Sequence, residues 1–193
     1  MTTLMESVLY FVQVMQQGTT LSLLDQLAQY DTATWRHSLG VAEYALAIGI
    51  HMKLSPEKLH HLACGALLHD IGKLRISKDI LCKPGRLTDE EYQIIKQHPE
   101  FGAEILKEYG YKEKDILDIA KYHHVNFDGT GYPTPTGPIS ELVPIIRTAD
   151  TFDAMTRERP YQSAIPSGVV LELMSKDVNT IYQPETVQAL RYV

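Results

Sequence analysis

The chain has 193 residues, of which 44% are hydrophobic, enough for one domain with a sizeable core. Its 18 basic and 24 acidic residues give a formal net charge of −6, which argues against nonspecific binding of nucleic acid but allows a local basic pocket for a small anion. The two cysteines, Cys64 and Cys82, match neither a metal-binding pattern nor a disulfide framework. No apolar run approaches the ~20 residues of a membrane span and no signal-peptide pattern opens the chain, so we expect a cytoplasmic protein.

The hydrophobic pattern predicts helices from the start of the chain. An apolar stripe predicts a first helix at about residues 3–17, ended by Gly18, and a second apolar stretch covers Leu21 to Leu27. In the next helix His37 shares a face with apolar residues at spacings of three and four, so its side chain is expected to point into a bundle.

The middle of the chain brings the first pair of chemically active residues. Ser55-Pro56 predicts the start of a helix that leads to the adjacent pair His69-Asp70. Gly72 then lets the backbone turn tightly beside that pair. The run Thr88-Asp89-Glu90-Glu91 is typical of a capping box and opens a helix expected to deliver His98.

Two further helices complete the prediction. They are expected at about residues 112–124 and 139–157, where they bring His123-His124 and Asp150. No strand pattern of convincing length is present. The sequence therefore predicts an all-α fold.

Seven candidate metal ligands are spread over these helices: His37, His69, Asp70, His98, His123, His124 and Asp150. Imidazole and carboxylate groups together suit borderline transition metals such as Fe, Mn or Zn. Seven groups are enough for two metals that share one carboxylate, and a two-metal site is suited to the attack on phosphate esters. A lone histidine on an apolar helix face is more often a core residue, so ligation is inferred from the whole set. His51, His60 and His61 lack partners at matching positions and are expected to be solvent-facing or structural.

The chain resembles the HD-GYP domain, a branch of the HD superfamily, through an ordered series of blocks between residues 30 and 193. The blocks are WRHSLGVAEYA, HDIGKLRISKDILCKPGRLTDEEY, KQHPEFGAEIL, YHHVNFDGTGYP, RTADTFDAMTRERPYQ and IYQPETVQAL. The dipeptide HD alone is weak, whereas the ordered series is highly specific. The resemblance implies an HD-domain helical bundle with a GYP loop over residues 31–193, preceded by an N-terminal helical extension over residues 1–30.

The resemblance also implies a metal-dependent phosphodiesterase that hydrolyses cyclic di-GMP to pGpG, to GMP or to both. It assigns one metal to His37, His69, Asp70 and Asp150. It assigns the other to His98, His123 and His124, with Asp70 as the shared, catalytic bridge. A hydroxide between the metals would attack the phosphorus in line. Fe or Mn is expected foremost, although Zn, Ni and Co can use the same ligands.

The residues expected to contact the substrate are Lys73, Gly131, Tyr132, Asp153 and Arg159. Lys73, four residues beyond His69, is also expected to act in catalysis, by contacting the phosphate or assisting the leaving oxygen. Gly131 would shape the rim of the pocket. Arg159 would grip phosphate oxygens with its guanidinium group. Tyr132 can alternatively serve as scaffold or as a contact for a partner.

Three positions depart from the family pattern. Ala33 stands where some members carry a glutamate that helps hold a third metal, so two metals are expected. Val125 replaces the usual glutamate after the double histidine. Gln162 replaces a basic residue after RPY, which weakens the expected grip on phosphate.

Other functions remain open at this point. The same fold can act as a low-turnover cyclic-dinucleotide receptor or as a protein-interaction module whose GYP loop meets a partner such as a GGDEF protein. An HD phosphohydrolase that acts on another nucleotide is a third reading. The complete ligand set favours the enzyme, because a binding module has no need for all seven groups. Neither DNA nor a membrane is expected as a partner, and the sequence leaves a homodimer open.

Overall fold

The computed structural model describes Tyr10, Val14 and residues 17–158 and 164–193. Within these ranges the chain is helical and forms no strands, which confirms the all-α prediction. Extended backbone pairs there at two isolated bridges, Val125 with Gly131 and Val178 with Tyr182. None of the helices in these ranges is both long and apolar enough to cross a membrane.

The described α-helices are, in chain order, α1 (Gly18–Tyr30), α2 (Thr32–His51), α3 (Pro56–Leu68), α4 (Lys78–Leu81), α5 (Asp89–Ile95), α6 (His98–Glu108), α7 (Lys114–Tyr122), α8 (Val143–Thr156), α9 (Ser167–Met174) and α10 (Pro184–Leu190). Short 3-10 helices span Ile71–Arg75 and Ser175–Asp177. The helix predicted at about residues 3–17 falls mostly outside the described residues. Gly18, predicted to end it, is instead the first residue of α1, because Gln17 before it is extended (φ −78°, ψ 108°).

Capping side chains fix the starts of several helices. Asp31 precedes α2 and accepts hydrogen bonds from the backbone N–H groups two and three residues later, at 3.0 and 3.3 Å. Ser55 caps α3 in the same way, and Pro56 follows it in the first turn. Thr88 and Glu91 make both hydrogen bonds of a capping box before α5, which confirms that prediction.

The predicted helix that was to deliver His98 is in fact two helices. Helix α5 ends at Ile95 and His98 is the first residue of α6. Pro99 explains the break, because it lacks an N–H group and its ring would clash with the Ile95 carbonyl in a continuous helix. His98 is therefore held at a helix start rather than on a helix face.

Helix α2 lies at the centre of the bundle and packs against α1, α3 and α8. The core includes fully buried Leu46 and Ile48 of α2 and Leu62 of α3. Helix α1 buries its apolar face in the same core, so residues 18–30 pack as part of the bundle. The division predicted at residue 30 stays a prediction, because most of residues 1–16 lies outside the described ranges.

Candidate metal centre

All seven predicted ligands come together, from five separate segments. His37 lies within α2, His69-Asp70 follows α3, His98 opens α6, His123-His124 follows α7, and Asp150 lies within α8. The ligand atoms of His98, His123 and His124 all lie within 4.8 Å of one another, and so do those of His37, His69 and Asp70. Asp150 joins the second group through its Oδ1, 2.9 Å from His37 Nε2.

Asp70 lies between the two groups and turns one oxygen towards each. Its Oδ1 is 3.2 Å from His98 Nε2 and 3.8 Å from His123 Nε2. Its Oδ2 is 3.5 Å from His69 Nε2. A carboxylate in this position can share its two oxygens between two cations.

Hydrogen bonds orient four of the histidines so that Nε2 faces the centre. The Nδ1 groups of His69, His98 and His123 donate to the backbone carbonyls of Ala66, Ile95 and Ala120, at 2.7, 2.7 and 3.0 Å respectively. His37 Nδ1 donates to the carboxylate of Asp153 at 2.7 Å. Because these oxygens only accept, each Nδ1 carries a proton and Nε2 is the atom turned towards the metal position. In the metal-free protein His37 Nε2 also carries a proton, which it donates to Asp150, and a metal would displace that proton.

The electrostatics of the buried histidines also favour metal binding. Burial lowers the pKa of His69 and, together with the neighbouring His124, lowers that of His123 well below its ordinary value. Burial likewise lowers the pKa of His124 to about 3. These three rings are therefore neutral at physiological pH, which is the form that binds a metal.

The carboxylates are held in their charged form. Burial opposes that charge, but Lys73 and His69 hold the pKa of Asp70 well below its usual range. The hydrogen bond from His37 likewise holds the pKa of Asp150 well below its usual range, although burial opposes this. Burial by itself would lower the pKa of His37, but hydrogen bonds to Asp150 and Asp153 raise this pKa to about 9. Two buried carboxylates beside the neutral imidazoles of His69, His123 and His124 are a donor set that fits divalent transition metals.

Gly72 permits the close packing of the His69-Asp70 segment on α6. A Cβ atom at this position would collide with the carbonyl oxygen of His98 and would lie 2.5 Å from the backbone nitrogen of Gly102. Glycine was predicted here for a tight turn. The structure shows that it is needed because the two backbones leave no space for a side chain.

Asp153 occupies a place different from the substrate contact expected for it. It is 1% exposed, its Oδ2 accepts from His37, and its Oδ1 accepts from Arg157 Nη2 at 2.7 Å. Both oxygens are therefore used behind the ligand His37. Gly40 makes room for this pair, because a Cβ atom there would collide with Asp153 and Arg157. Neither Arg157 nor Gly40 was predicted from the sequence, although the i,i+4 spacing of Asp153 and Arg157 was a signal for their ion pair.

The GYP loop lies directly against the adjacent candidate ligands His123 and His124. Gly131 has φ +98° and lies against the His124 backbone, so that a Cβ atom would collide with the His124 carbonyl oxygen. The Tyr132 ring then stacks on the His124 ring, with centroids 4.7 Å apart and planes at 28°. Asn126, at the base of the loop, accepts a 3.0 Å hydrogen bond from Arg147 Nε of α8.

Of the other predicted substrate contacts, Lys73 lies at the centre, with its Nζ 2.6 Å from Asp70 Oδ2. Arg159 and Gln162 lie outside the described residues.

The three histidines not predicted as ligands lie outside the seven-residue cluster. His51 is exposed and stacks on Tyr192, and His61 donates to Asp115 at 2.9 Å. His60 hydrogen-bonds to Gln17 at 2.9 Å. Both groups of three or more metal-binding side chains found in the described residues belong to the centre itself.

Fold and site thus define an all-helical domain built around a candidate two-metal centre. The model of the HD domain family matches residues 19–186, and the chain belongs to this family. The resemblance found in the sequence blocks is confirmed.

Known proteins show the same relationship. The chain is 39% identical over 157 residues to 3'3'-cGAMP-specific phosphodiesterase 3 of Vibrio cholerae, a match that covers 80% of this chain and 34% of that protein. It is 37% identical over 175 residues to a cyclic di-GMP phosphodiesterase of Thermotoga maritima, covering 88% of this chain and 47% of that one. The chain therefore spans less than half the length of these relatives. In fold it is similar to the HD domain of the Listeria monocytogenes phosphodiesterase PgpH, solved with cyclic di-AMP, at a TM-score of 0.69 and 23% identity over 89% of this chain and 92% of that one.

Proposed function

We propose that this domain is a metal-dependent phosphodiesterase that hydrolyses cyclic di-GMP to pGpG, to GMP or to both. The position of Asp70 carries the proposal, because one carboxylate faces two groups of metal-binding side chains. A receptor or an interaction module has no need for a carboxylate shared in this way. The two relatives described above are phosphodiesterases of cyclic dinucleotides, which supports the same function.

We infer a pair of divalent transition metals, foremost Fe or Mn, with Zn, Ni and Co compatible with the same donors. His37, His69, Asp70 and Asp150 would hold one ion. His98, His123 and His124 would hold the other, with Asp70 shared. Two such ions, when bound, supply an activated water and neutralise charge on the phosphate. Ala33, one turn before His37 and exposed, offers no donor for a third ion.

The protein's own residues would orient this chemistry. Asp153 holds the His37 ring from behind, so we assign it a positioning role in place of the substrate contact expected from sequence. Lys73 has its ammonium group beside Asp70 Oδ2 with a side chain 20% exposed, from where it can turn to a phosphate oxygen once cations neutralise the carboxylate. Gly131 and Tyr132 would form the rim above His124. Arg159 is proposed as a second phosphate contact on the sequence pattern alone.

A second candidate substrate is 3'3'-cGAMP, which the similarity to the Vibrio cholerae enzyme favours. Four expectations stay predictions: the receptor function, a GGDEF-type partner at the GYP loop, a homodimer and a cytoplasmic location.

One experiment tests the proposed function. The protein is purified anaerobically with Fe or Mn, its metal content is quantified, and linear products of cyclic di-GMP and 3'3'-cGAMP are measured. We expect two metals per chain and a linear product. Asp70→Asn keeps the shape of the side chain but removes its charge, and should lose both metal and product. Wild-type protein with two metals and no turnover of either dinucleotide would contradict the enzyme and favour the receptor.

A further inference from the structure

A cationic and aromatic surface lies beside the centre, at the junction of α5 and α6. Lys96 Nζ stands 4.7 Å from the centroid of the Tyr132 ring and 5.9 Å from that of Tyr92. Tyr92 is 48% exposed, and the other face of this surface is bounded by His124, on which Tyr132 stacks. Lys96 is two residues before the candidate ligand His98, so the segment that delivers a ligand also delivers this cation.

The Lys96 ammonium group has not been neutralised by a neighbouring acid. The half-buried Lys73 and Lys83 pair with Asp70 and Glu91, at 2.6 and 2.7 Å. Lys96 forms no ion pair with any residue in the part of the chain that the structure describes, and its charge faces two rings instead. Such a cation is held by the aromatic faces while its N–H donors stay free for a ligand.

The combination of an exposed ring with a free donor matches the chemistry of a purine base. The open Tyr92 ring can stack on a base, and stacking accepts any base because every base has a π face. Guanine presents two acceptors, N7 and O6, along one edge, whereas adenine presents an acceptor and an amino donor there. An ammonium group only donates, so it suits the guanine edge and opposes the adenine amino group.

We propose that Tyr92 and Lys96 bind one base of the substrate and that Lys96 selects guanine over adenine. The inference rests on the proposed function for its substrate class and adds the residue that determines base specificity. Tyr132 serves it by holding Lys96 over its ring next to the metal ligand His124. Cyclic di-GMP and 3'3'-cGAMP both carry a guanine, so both would be accepted, whereas cyclic di-AMP would be disfavoured.

The test compares the two homodinucleotides on metal-loaded protein. Each competes against hydrolysis of bis(p-nitrophenyl) phosphate, a diester that has no base. Lys96→Met keeps the length of the side chain without its charge. We expect competition by cyclic di-GMP to weaken by about tenfold or more, as for loss of a lysine contact to guanine, while competition by cyclic di-AMP weakens less. Competition by each dinucleotide is compared relative to hydrolysis of the base-free diester by the same variant.

Lys78→Met is the matched control, because Lys78 Nζ stands at the same 4.7 Å from a tyrosine ring, that of Tyr30. It should alter neither competition. Tyr92→Ala should weaken competition by both dinucleotides, because stacking does not distinguish between bases. Tyr92→Phe keeps the ring and should compete like wild type.

Equal weakening of both dinucleotides in Lys96→Met would assign Lys96 to the phosphates and overturn the specificity role. Unchanged competition would remove it from the substrate site. If wild-type protein hydrolyses no diester, the proposed function fails, but calorimetric binding of the two dinucleotides to wild type and Lys96→Met still decides whether Lys96 selects guanine.

Discussion

Asp153 Oδ2 accepts a 2.7 Å hydrogen bond from His37 Nδ1, across 116 residues of sequence. The bond fixes the proton on the far side of the ring, so that His37 presents Nε2 towards Asp150 and the centre. The carboxylate is itself held by Arg157. A buried carboxylate behind a ligating imidazole increases its basicity and fixes its orientation.

Asp153→Asn should therefore weaken metal binding without removing a ligand. We expect a loss of about 10–100-fold in metal affinity, the usual effect of removing a partner behind a ligating histidine. Metal content after dialysis against graded concentrations of a chelator measures it. Glu104→Gln is the matched change from carboxylate to amide in the exposed ion pair with Arg75, and it should have no effect. If Asp153→Asn and wild type retained metal equally, Asp153 would have no positioning role, and the substrate contact expected from sequence would be favoured again.

Gly72→Ala should destabilise the fold, because its Cβ atom has no room between the backbones of His98 and Gly102. Overpacking of this kind costs about 1–3 kcal/mol, measurable as a shift in the urea midpoint. Gly168→Ala is the control, since a Cβ atom there meets nothing within 4 Å. Equal midpoints for the two variants would mean that the His69-Asp70 segment can move away from α6 at little cost.

The stability of metal-free protein should fall as pH rises from about 6.5 to about 9, because His37 has a pKa raised to about 9. In this window His37 keeps its proton in the folded state and loses it in the unfolded state, so unfolding releases a proton. Its contribution is complete below pH 6.5 and is lost as pH passes 9, with a slope of at most about 1.4 kcal/mol per pH unit. His37→Gln, measured by urea unfolding across the same pH range, should flatten this slope. A slope that survives in the variant would have another origin.

Below pH 6.5 the stability of the metal-free protein should change with pH in the opposite direction. The pKa values of His69, His123 and His124 are lowered by burial, so the unfolded chain takes up protons that the folded chain excludes. Metal-free protein should therefore lose stability again in acid.

Metal removal should lower the melting temperature of loaded protein. The ligands come from five segments, so any ion held by them binds the folded chain far better than the unfolded one. An ion at 100 times its dissociation constant adds about 2.7 kcal/mol. Chelation should reverse this gain and renewed Fe or Mn should restore it, as followed by circular dichroism. An unchanged melting temperature after verified loss of metal would contradict the coupling of binding and folding.

The identity of the seven clustered residues could be predicted from sequence because each stands in a specific block of neighbours. Their supporting geometry could not. Pro99 was a local signal for the break before α6. The packing of α1 into the core depends on contacts with α2 that the residue pattern of α1 does not specify.

Asp153 shows the same limit at the site. An acid on the same helix as a candidate ligand can face either the substrate or the ring of another ligand, and only the fold decides between them. Its position one turn before Arg157 was compatible with both roles. Burial at 1% assigns it to the interior.

Lys73 and Arg159 should separate catalysis from substrate binding, since both are proposed to contact phosphate and neither is among the seven candidate ligands. Lys73→Met should lower kcat for cyclic di-GMP with metal content intact, because its interaction with the leaving oxygen strengthens only as the transition state develops. Arg159→Ala should act mainly on KM, as for a contact made equally in the ground state. Gln162→Arg should add a cation near the phosphates and lower KM. Steady-state kinetics with metal analysis of each variant measure these effects. Wild-type kinetics in all three variants, with metals present, would remove these residues from the site and favour the receptor function.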